Sequence, residues 1–225
     1  MSFTRRYPAP TCARTWTRSL SKLYGTTLAV VGVDFTARTG DLVVLRGPNA
    51  SGKSTLLRLL AGLASPSAGR VTLTGDAGAR TKVAFVGHAG HLFDDLSPEE
   101  NLVLAARLAG ADAVNILALL DRLGLAAVAR SRCRGLSSGT LRRVALARAL
   151  ATDPAVLLVD EPFAGLDAGA ADRVAGVLAA ARDDGRLVIV ASHEDARSSR
   201  LADRTIELVG GRLTETEPAG ARKMR

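Results

Sequence analysis

Gly47-Pro48-Asn49-Ala50-Ser51-Gly52-Lys53-Ser54-Thr55 decides how this chain is read. These residues fit G-x-x-x-x-G-K-[ST], the pattern of a loop that cradles phosphates. Leu42 to Leu45 predict a buried strand entering it. Leu56, Leu59, Leu60 and Leu63 recur at i, i+3, i+4 and i+7, one face of a helix leaving it. Gly47 and Gly52 let the backbone wrap an oxyanion with its N–H groups turned inward. The new helix adds its positive N-terminal end. Lys53 supplies a compact cation for the β- and γ-phosphates, and the Ser54 hydroxyl is a ligand for Mg²⁺. A glycine turn that merely precedes a helix would not need every fixed position and both flanks. The stretch reads as a nucleoside triphosphate site.

Outward from the loop, 225 residues are enough for one α/β core with an insertion. No run of 18 or more apolar residues occurs, so the chain is not expected to span a membrane by itself. The net charge of +8 sits at the ends. Arg5, Arg6, Arg14, Arg18 and Lys22 precede any acid, and Arg222, Lys223 and Arg225 close the chain, leaving a neutral body. That distribution does not suit a nucleic-acid groove. Solvated basic tails are the simple reading, and attraction to anionic lipid is the functional one. Cys12 and Cys133 form no Cys-x-x-Cys pair, which favours a reduced cytosolic chain. The N-terminus lacks the apolar segment of a secretory signal, although its Arg, Ser and Thr content leaves a transit peptide as an alternative.

Residues 1–18 are expected to be a disordered basic N-terminus and 216–225 a basic tail. Short strand-like runs from Leu20 to Phe35, with Arg70 to Leu73, predict a small antiparallel sheet. Tyr24 ends the first of these, with Trp16 a weaker rival for stacking on a base. Lys82 to Gly87 predict a strand followed by His88. Ser97, Pro98 and Glu100 predict a capped helix start, and a helical insertion is placed at about 94–150. Ala155 to Asp160 and Leu187 to Ala191 read as buried strands, each ending beside a polar residue. Strands alternating with helices imply a parallel sheet covered on both faces.

Asp160-Glu161 supplies the acidic half of a triphosphate site. A carboxylate at a strand end next to the loop holds Mg²⁺, and its neighbour polarises the attacking water. His88-x-x-His91 is not read as a metal pair, because no cysteine or third histidine lies nearby.

The order of these parts resembles the nucleotide-binding subunit of an ATP-binding cassette (ABC) transporter, over about residues 20–215. The resemblance is carried by the phosphate loop, by Leu136-Ser137-Ser138-Gly139 in place of the LSGG signature, and by Val156 to Pro162. Ala164-Gly165-Leu166-Asp167 follows at the D-loop, and His193 at the switch histidine. The resemblance implies a P-loop NTPase core, an N-terminal antiparallel β subdomain, and an inserted α-helical subdomain, with the ATPase domain at 19–215. It implies two cassettes facing head to tail, either a homodimer or a pair with a second cassette, with a transmembrane permease as partner and no nucleic acid. Ser137, Ser138 and Gly139 would reach ATP bound by the partner's loop. Glu161 would be the general base, His193 would hold the γ-phosphate and water, Asp167 would link the sites, and Tyr24 would stack on the base. The location implied is cytoplasmic, peripheral on the inner face of the membrane.

Three positions depart from the family. Ala50 replaces a glycine, a modest change if its φ is negative. Thr140 replaces glutamine at the end of the signature. His88 replaces the glutamine that links Mg²⁺ and water to the helical subdomain. Phe85-Val86-Gly87-His88 and Leu92 to Leu102 resemble the haem-exporter ATPase of cytochrome c maturation. An exporter ATPase for a drug, ion or lipid-linked sugar is the alternative, and a soluble ABC ATPase acting on DNA or ribosomes the remoter one.

Overall fold

The computed structural model describes residues 14–74, 81–87, 90–111, 114–193 and 196–215. In chain order the elements are β1 (Arg14–Tyr24), β2 (Thr27–Arg38), β3 (Leu42–Arg46), α1 (Lys53–Leu60), β4 (Ala68–Thr74) and β5 (Val83–Val86). There follow α2 (Pro98–Leu108), α3 (Ile116–Arg122), α4 (Ser138–Ala151), β6 (Val156–Asp160) and α5 (Ala168–Asp183). The described chain closes with β7 (Leu187–Ala191), α6 (Ala196–Leu201), β8 (Arg204–Val209) and β9 (Arg212–Glu215).

Two sheets result. β2-β1-β4 is antiparallel, and β5-β6-β7-β3-β8-β9 is parallel except for the last pair. Alternation along the central strands explains why both faces of the large sheet are dry. Leu42, Val44, Leu157, Val159, Val188 and Val190 join the core under α2 to α5. Val43, Leu45, Val156, Leu158, Leu187 and Ile189 join the core shared with α1 and β2. Successive strand side chains point to opposite faces, so continuous apolar runs are what a doubly covered sheet requires.

The helical insertion is fixed at its entrance by a capping box. Ser97 Oγ accepts from Glu100 N at 3.2 Å, and Glu100 Oε2 accepts from Ser97 N at 2.8 Å. That backbone donor, with the Ser97 hydroxyl second, holds the Glu100 carboxyl below its ordinary range. Asn101 closes the same corner, accepting from Phe93 N and donating to the carbonyls of Phe93 and Ser97.

Order begins earlier than the sequence predicts. The expected disorder through residue 18 is corrected, because β1 starts at Arg14 and pairs with both β2 and β4 from that point. Thr15 and Thr17 are buried there, and Thr17 Oγ1 donates to Val33 O at 2.8 Å. Threonine favours strands through its branched Cβ, and inward-facing threonines leave the strand without an apolar signature. The expected tails at 1–13 and 216–225 lie outside the described residues, as does His88.

Candidate functional site

The carboxyl ends of three adjacent parallel strands bring the predicted residues together. β7 lies between β6 and β3, with Ala191 in register with Asp160 on one side and Leu45 on the other. The phosphate loop leaves just after Leu45, Asp160 ends β6, and His193 follows two residues after Ala191. Ligands of open parallel sheets bind at this end.

The loop's glycines are required by neighbours as well as by φ. Gly47 has φ +148°, and a Cβ there would lie 2.1 Å from Leu208 O of β8. Gly52 has φ +104°, and a Cβ there would lie 2.1 Å from Ala29 O of β2. The loop is therefore clamped between two backbones. Gly52 is the N-cap of α1 and offers no side chain, so the first-turn N–H groups of Lys53, Ser54 and Thr55 face outward for a ligand. Pro48, Asn49, Ala50 and Ser54 are exposed, while Ser51 is buried.

Ala50 departs from the sequence expectation. Its φ is +61°, in the left-handed region, rather than negative. The loop keeps the geometry that a glycine would adopt freely, and alanine carries the Cβ clash.

Lys53 is buried, and its Nζ donates to Gly47 O at 2.8 Å and Pro48 O at 2.9 Å. Burial lowers the pKa of this ammonium, opposed by the charges of Glu161 and then Asp160. The two carboxylates thus lie within electrostatic reach of the loop lysine. Asp160 Oδ1 is buried and has no hydrogen-bond partner among the described residues. A buried carboxylate oxygen left open, together with an exposed serine hydroxyl on the loop, fits a hard cation that takes one or two protein oxygens and completes its shell with phosphates. The donor set of Asp160 and Ser54 therefore fits Mg²⁺.

Glu161 stands in an unusual backbone. Its φ is +51°, its N–H donates to Ala191 O at 2.8 Å, and its carbonyl accepts from the Arg142 guanidinium of α4. His193 Nε2 lies 3.3 Å from Glu161 Oε1, which joins the end of β7 to the acid after β6. Both side chains reach solvent.

The signature stretch sits elsewhere on the surface. Ser137 caps α4, its Oγ accepting from Thr140 N at 3.3 Å and lying 2.9 Å from Thr140 Oγ1. Arg143 Nη2 donates to the same Thr140 hydroxyl at 3.2 Å. Threonine at the glutamine position thus braces the cap. Ser137 and Ser138 are exposed, and among the described residues no hydrogen bond joins them to the phosphate loop. Gly139 packs on the D-loop, where a Cβ would meet Gly165 O at 3.1 Å. Asp167 caps α5 by accepting from Ala170 N at 2.8 Å. Tyr24 is exposed at a hairpin end, with Lys22 Nζ 4.9 Å from the ring centroid. Trp16 lies within β1, between the buried Thr15 and Thr17.

Two structural features beside Glu161 have no counterpart in the sequence reading. Arg142 gave no signal beyond being a basic residue one turn into a helix, and the positive φ of Glu161 gave none.

The sequence matches the family profile described as "ABC transporter" over residues 30–164. The chain belongs to this family. It is an ATP-hydrolysing ABC transporter subunit whose hydrolysis is coupled to transport. The cassette is 41% identical over 183 residues to the "Cytochrome c biogenesis ATP-binding export protein CcmA" of Pseudomonas savastanoi, covering 78% of this chain and 86% of that one. It is 39% identical over 224 residues to the "Phosphonates import ATP-binding protein PhnC" of Frankia casuarinae, covering 89% and 88%. Among solved structures it resembles the ATP-binding cassette MJ0796 in a dimeric post-hydrolysis state bound to ADP and Pi. The TM-score is 0.82 at 26% identity, over 92% of this chain and 99% of that one. No helix among the described residues is long and apolar enough to cross a membrane.

Proposed function

We propose that this cassette drives a haem-export complex of cytochrome c biogenesis, docked on a transmembrane permease at the inner face of the membrane. The observation that carries the reading is the 41% identity to CcmA relatives of both Pseudomonas savastanoi and Cupriavidus necator. The stretch from Phe85 to Leu102, which resembles the haem-exporter ATPase, agrees with it.

In the proposed reaction, Lys53 and the α1 N–H groups hold the β- and γ-phosphates, and Tyr24 stacks on the base. Asp160 and Ser54 would hold Mg²⁺, which would supply positive charge against the phosphates. Glu161 accepts the proton of the attacking water, a role worth ~10²–10⁴-fold in rate. His193, already beside Glu161 Oε1, orients that carboxylate and contacts the γ-phosphate. The exposed signature of a second cassette, Ser137 to Gly139, completes the other side of the nucleotide, and Asp167 lies at the junction. His88 would partner the metal-side water from the helical subdomain. Charge placement on the phosphates supplies the remaining acceleration.

A second reading, an import cassette, is favoured by the PhnC relative, whose 39% identity extends over 89% of this chain. Covalent haem staining separates the two. Deletion of the gene is expected to abolish haem-stained c-type cytochromes, with restoration by the parent and not by Glu161→Gln. Normal staining in the deletion strain would exclude haem export and leave the import reading.

A further inference from the structure

Thr140 stands in the first turn of α4, at the position where the signature departs from glutamine, and its hydroxyl is the centre of a small network. Arg143, one turn further on, is seated on backbone carbonyls. Its Nη1 donates to Leu123 O at 2.9 Å and Gly124 O at 3.2 Å, just past the end of α3, and its Nε to Gly139 O at 3.4 Å. Carbonyls left over at a helix C-terminus favour a cation, so the guanidinium has a fixed place. Nη2 of the same planar fork is thereby aimed at Thr140 Oγ1, 3.2 Å away.

Donor and acceptor capacity sets the direction of the next link. A guanidinium has donors only, so the Thr140 hydroxyl accepts from Arg143. That hydroxyl carries one proton, and its other short contact is Ser137 Oγ at 2.9 Å. A charged donor behind a hydroxyl polarises it, which favours Thr140 giving its proton to Ser137. Ser137 Oγ also accepts from Thr140 N at 3.3 Å, so both of its lone pairs are engaged. What Ser137 has left is its own proton, on an exposed side chain.

We propose that Thr140 and Arg143 are positioning residues of the signature, holding the Ser137 hydroxyl as a dedicated hydrogen-bond donor toward the γ-phosphate carried by a second cassette. The proposal rests on the head-to-tail reading above and adds how this chain prepares its serine without glutamine. A phosphate oxygen only accepts. A hydroxyl free to rotate presents lone pairs to that anion part of the time, whereas a serine saturated as an acceptor does not. Donors oriented in advance need no rearrangement when the charge arrives.

The test measures dimerisation of the full chain carrying Glu161→Gln, by sedimentation velocity at saturating MgATP over a range of protein concentrations. Thr140→Val keeps the branched shape and the backbone N–H while removing the hydroxyl. A net hydrogen-bond effect of ~3-fold at each of two equivalent sites multiplies to a ~10-fold larger dimer dissociation constant. Thr140→Ser, which keeps the hydroxyl, is expected to stay within ~2-fold of the parent. A double-mutant cycle with Ser137→Gly separates positioning from bracing, because glycine is a tolerable N-cap that lacks the hydroxyl. In that background Thr140→Val is expected to change the constant less than ~2-fold. Arg143→Met is expected to weaken the dimer ~3- to 10-fold with Ser137 present and less than ~2-fold with Ser137→Gly. Equal losses in the two backgrounds would make these residues braces of the helix start and overturn the proposal. A Thr140→Val constant equal to the parent's, or an equal loss with Thr140→Ser, would overturn it while leaving the head-to-tail pair intact. A Glu161→Gln chain that stays monomeric at every MgATP concentration would remove both.

Discussion

Lys53 is held by conflicting forces, because burial disfavours its charge while Glu161 and Asp160 favour it. Burial is the larger, so the folded protein binds the Lys53 proton less tightly than the unfolded chain does. A lowered lysine pKa costs stability below the folded value, and that cost is relieved as pH rises through it toward the unfolded value near 10.5. The parent's Tm is therefore expected to gain on the Lys53→Met variant's as pH is lowered less and less below 10.5, and melting curves from pH 7 upward check it. The same variant is expected to retain under a tenth of the parent's ATP turnover, since no other side-chain cation from the loop reaches the phosphates. Ala50 is the second residue under tension. An L-residue in the left-handed region costs roughly 1–2 kcal/mol, and glycine loses part of that gain to its greater freedom when unfolded. Ala50→Gly is expected to stabilise the chain by about 0.5–1 kcal/mol at unchanged ATP affinity, read from urea midpoints. A loss of stability would mean that the loop exploits the alanine side chain.

Strands and helices were legible where they carry a period. The apolar runs of β3, β6 and β7, the leucine stripe of α1, and the Ser97 capping box all appear in the sequence because burial and capping leave residue-type signatures. The first half of β1 does not, since its inward side chains are threonines. The phosphate loop, Asp160, Glu161 and His193 were readable from motif and order. What the sequence could not display is how α4 meets the end of β6, because that contact joins residues 19 apart through a backbone carbonyl. Arg142 donates to the carbonyl of Glu161, and Ala191 O accepts its N–H, so both peptides around a positive φ are pinned. Arg142 is accordingly a positioning residue for the acid. In the proposed reaction, loss of this anchor would let the backbone relax and swing the carboxylate away from the attacking water. Small misplacements of a catalytic group cost up to ~10²-fold. Arg142→Met is expected to lower kcat by ~10- to 100-fold with the KM for ATP within ~2-fold, while Arg142→Lys restores part of kcat. Parallel loss of ATP affinity would assign Arg142 to the binding surface or the fold instead.

At the scale of the whole molecule, no hydrogen bond among the described residues joins the phosphate loop to the Ser137 stretch. Lys53 Nζ rests on its own loop carbonyls, and the exposed Ser137 bonds within its own helix start, to Thr140 and Leu141. A second cassette, turned head to tail, is the arrangement that would bring the positive start of α4 to the γ-phosphate. Glu161→Gln separates this assembly from the chemistry. On the proposed assignment, Asp160 would still hold Mg²⁺, the water would lose its base, and one negative charge near the γ-phosphate would be removed. Hydrolysis is expected to fall ~10²–10⁴-fold, and with MgATP the chain is expected to elute from gel filtration as a dimer. A second substitution shows whether the dimer forms through the signature. Ser137→Asp keeps a good N-cap for α4 but places a carboxylate against the partner's γ-phosphate. The double variant is therefore expected to elute as a monomer in MgATP, with its circular dichroism unchanged from the single variant's. A double variant that remains dimeric would move the interface away from Ser137. A Glu161→Gln chain that is monomeric at every ATP concentration would remove the sandwich itself.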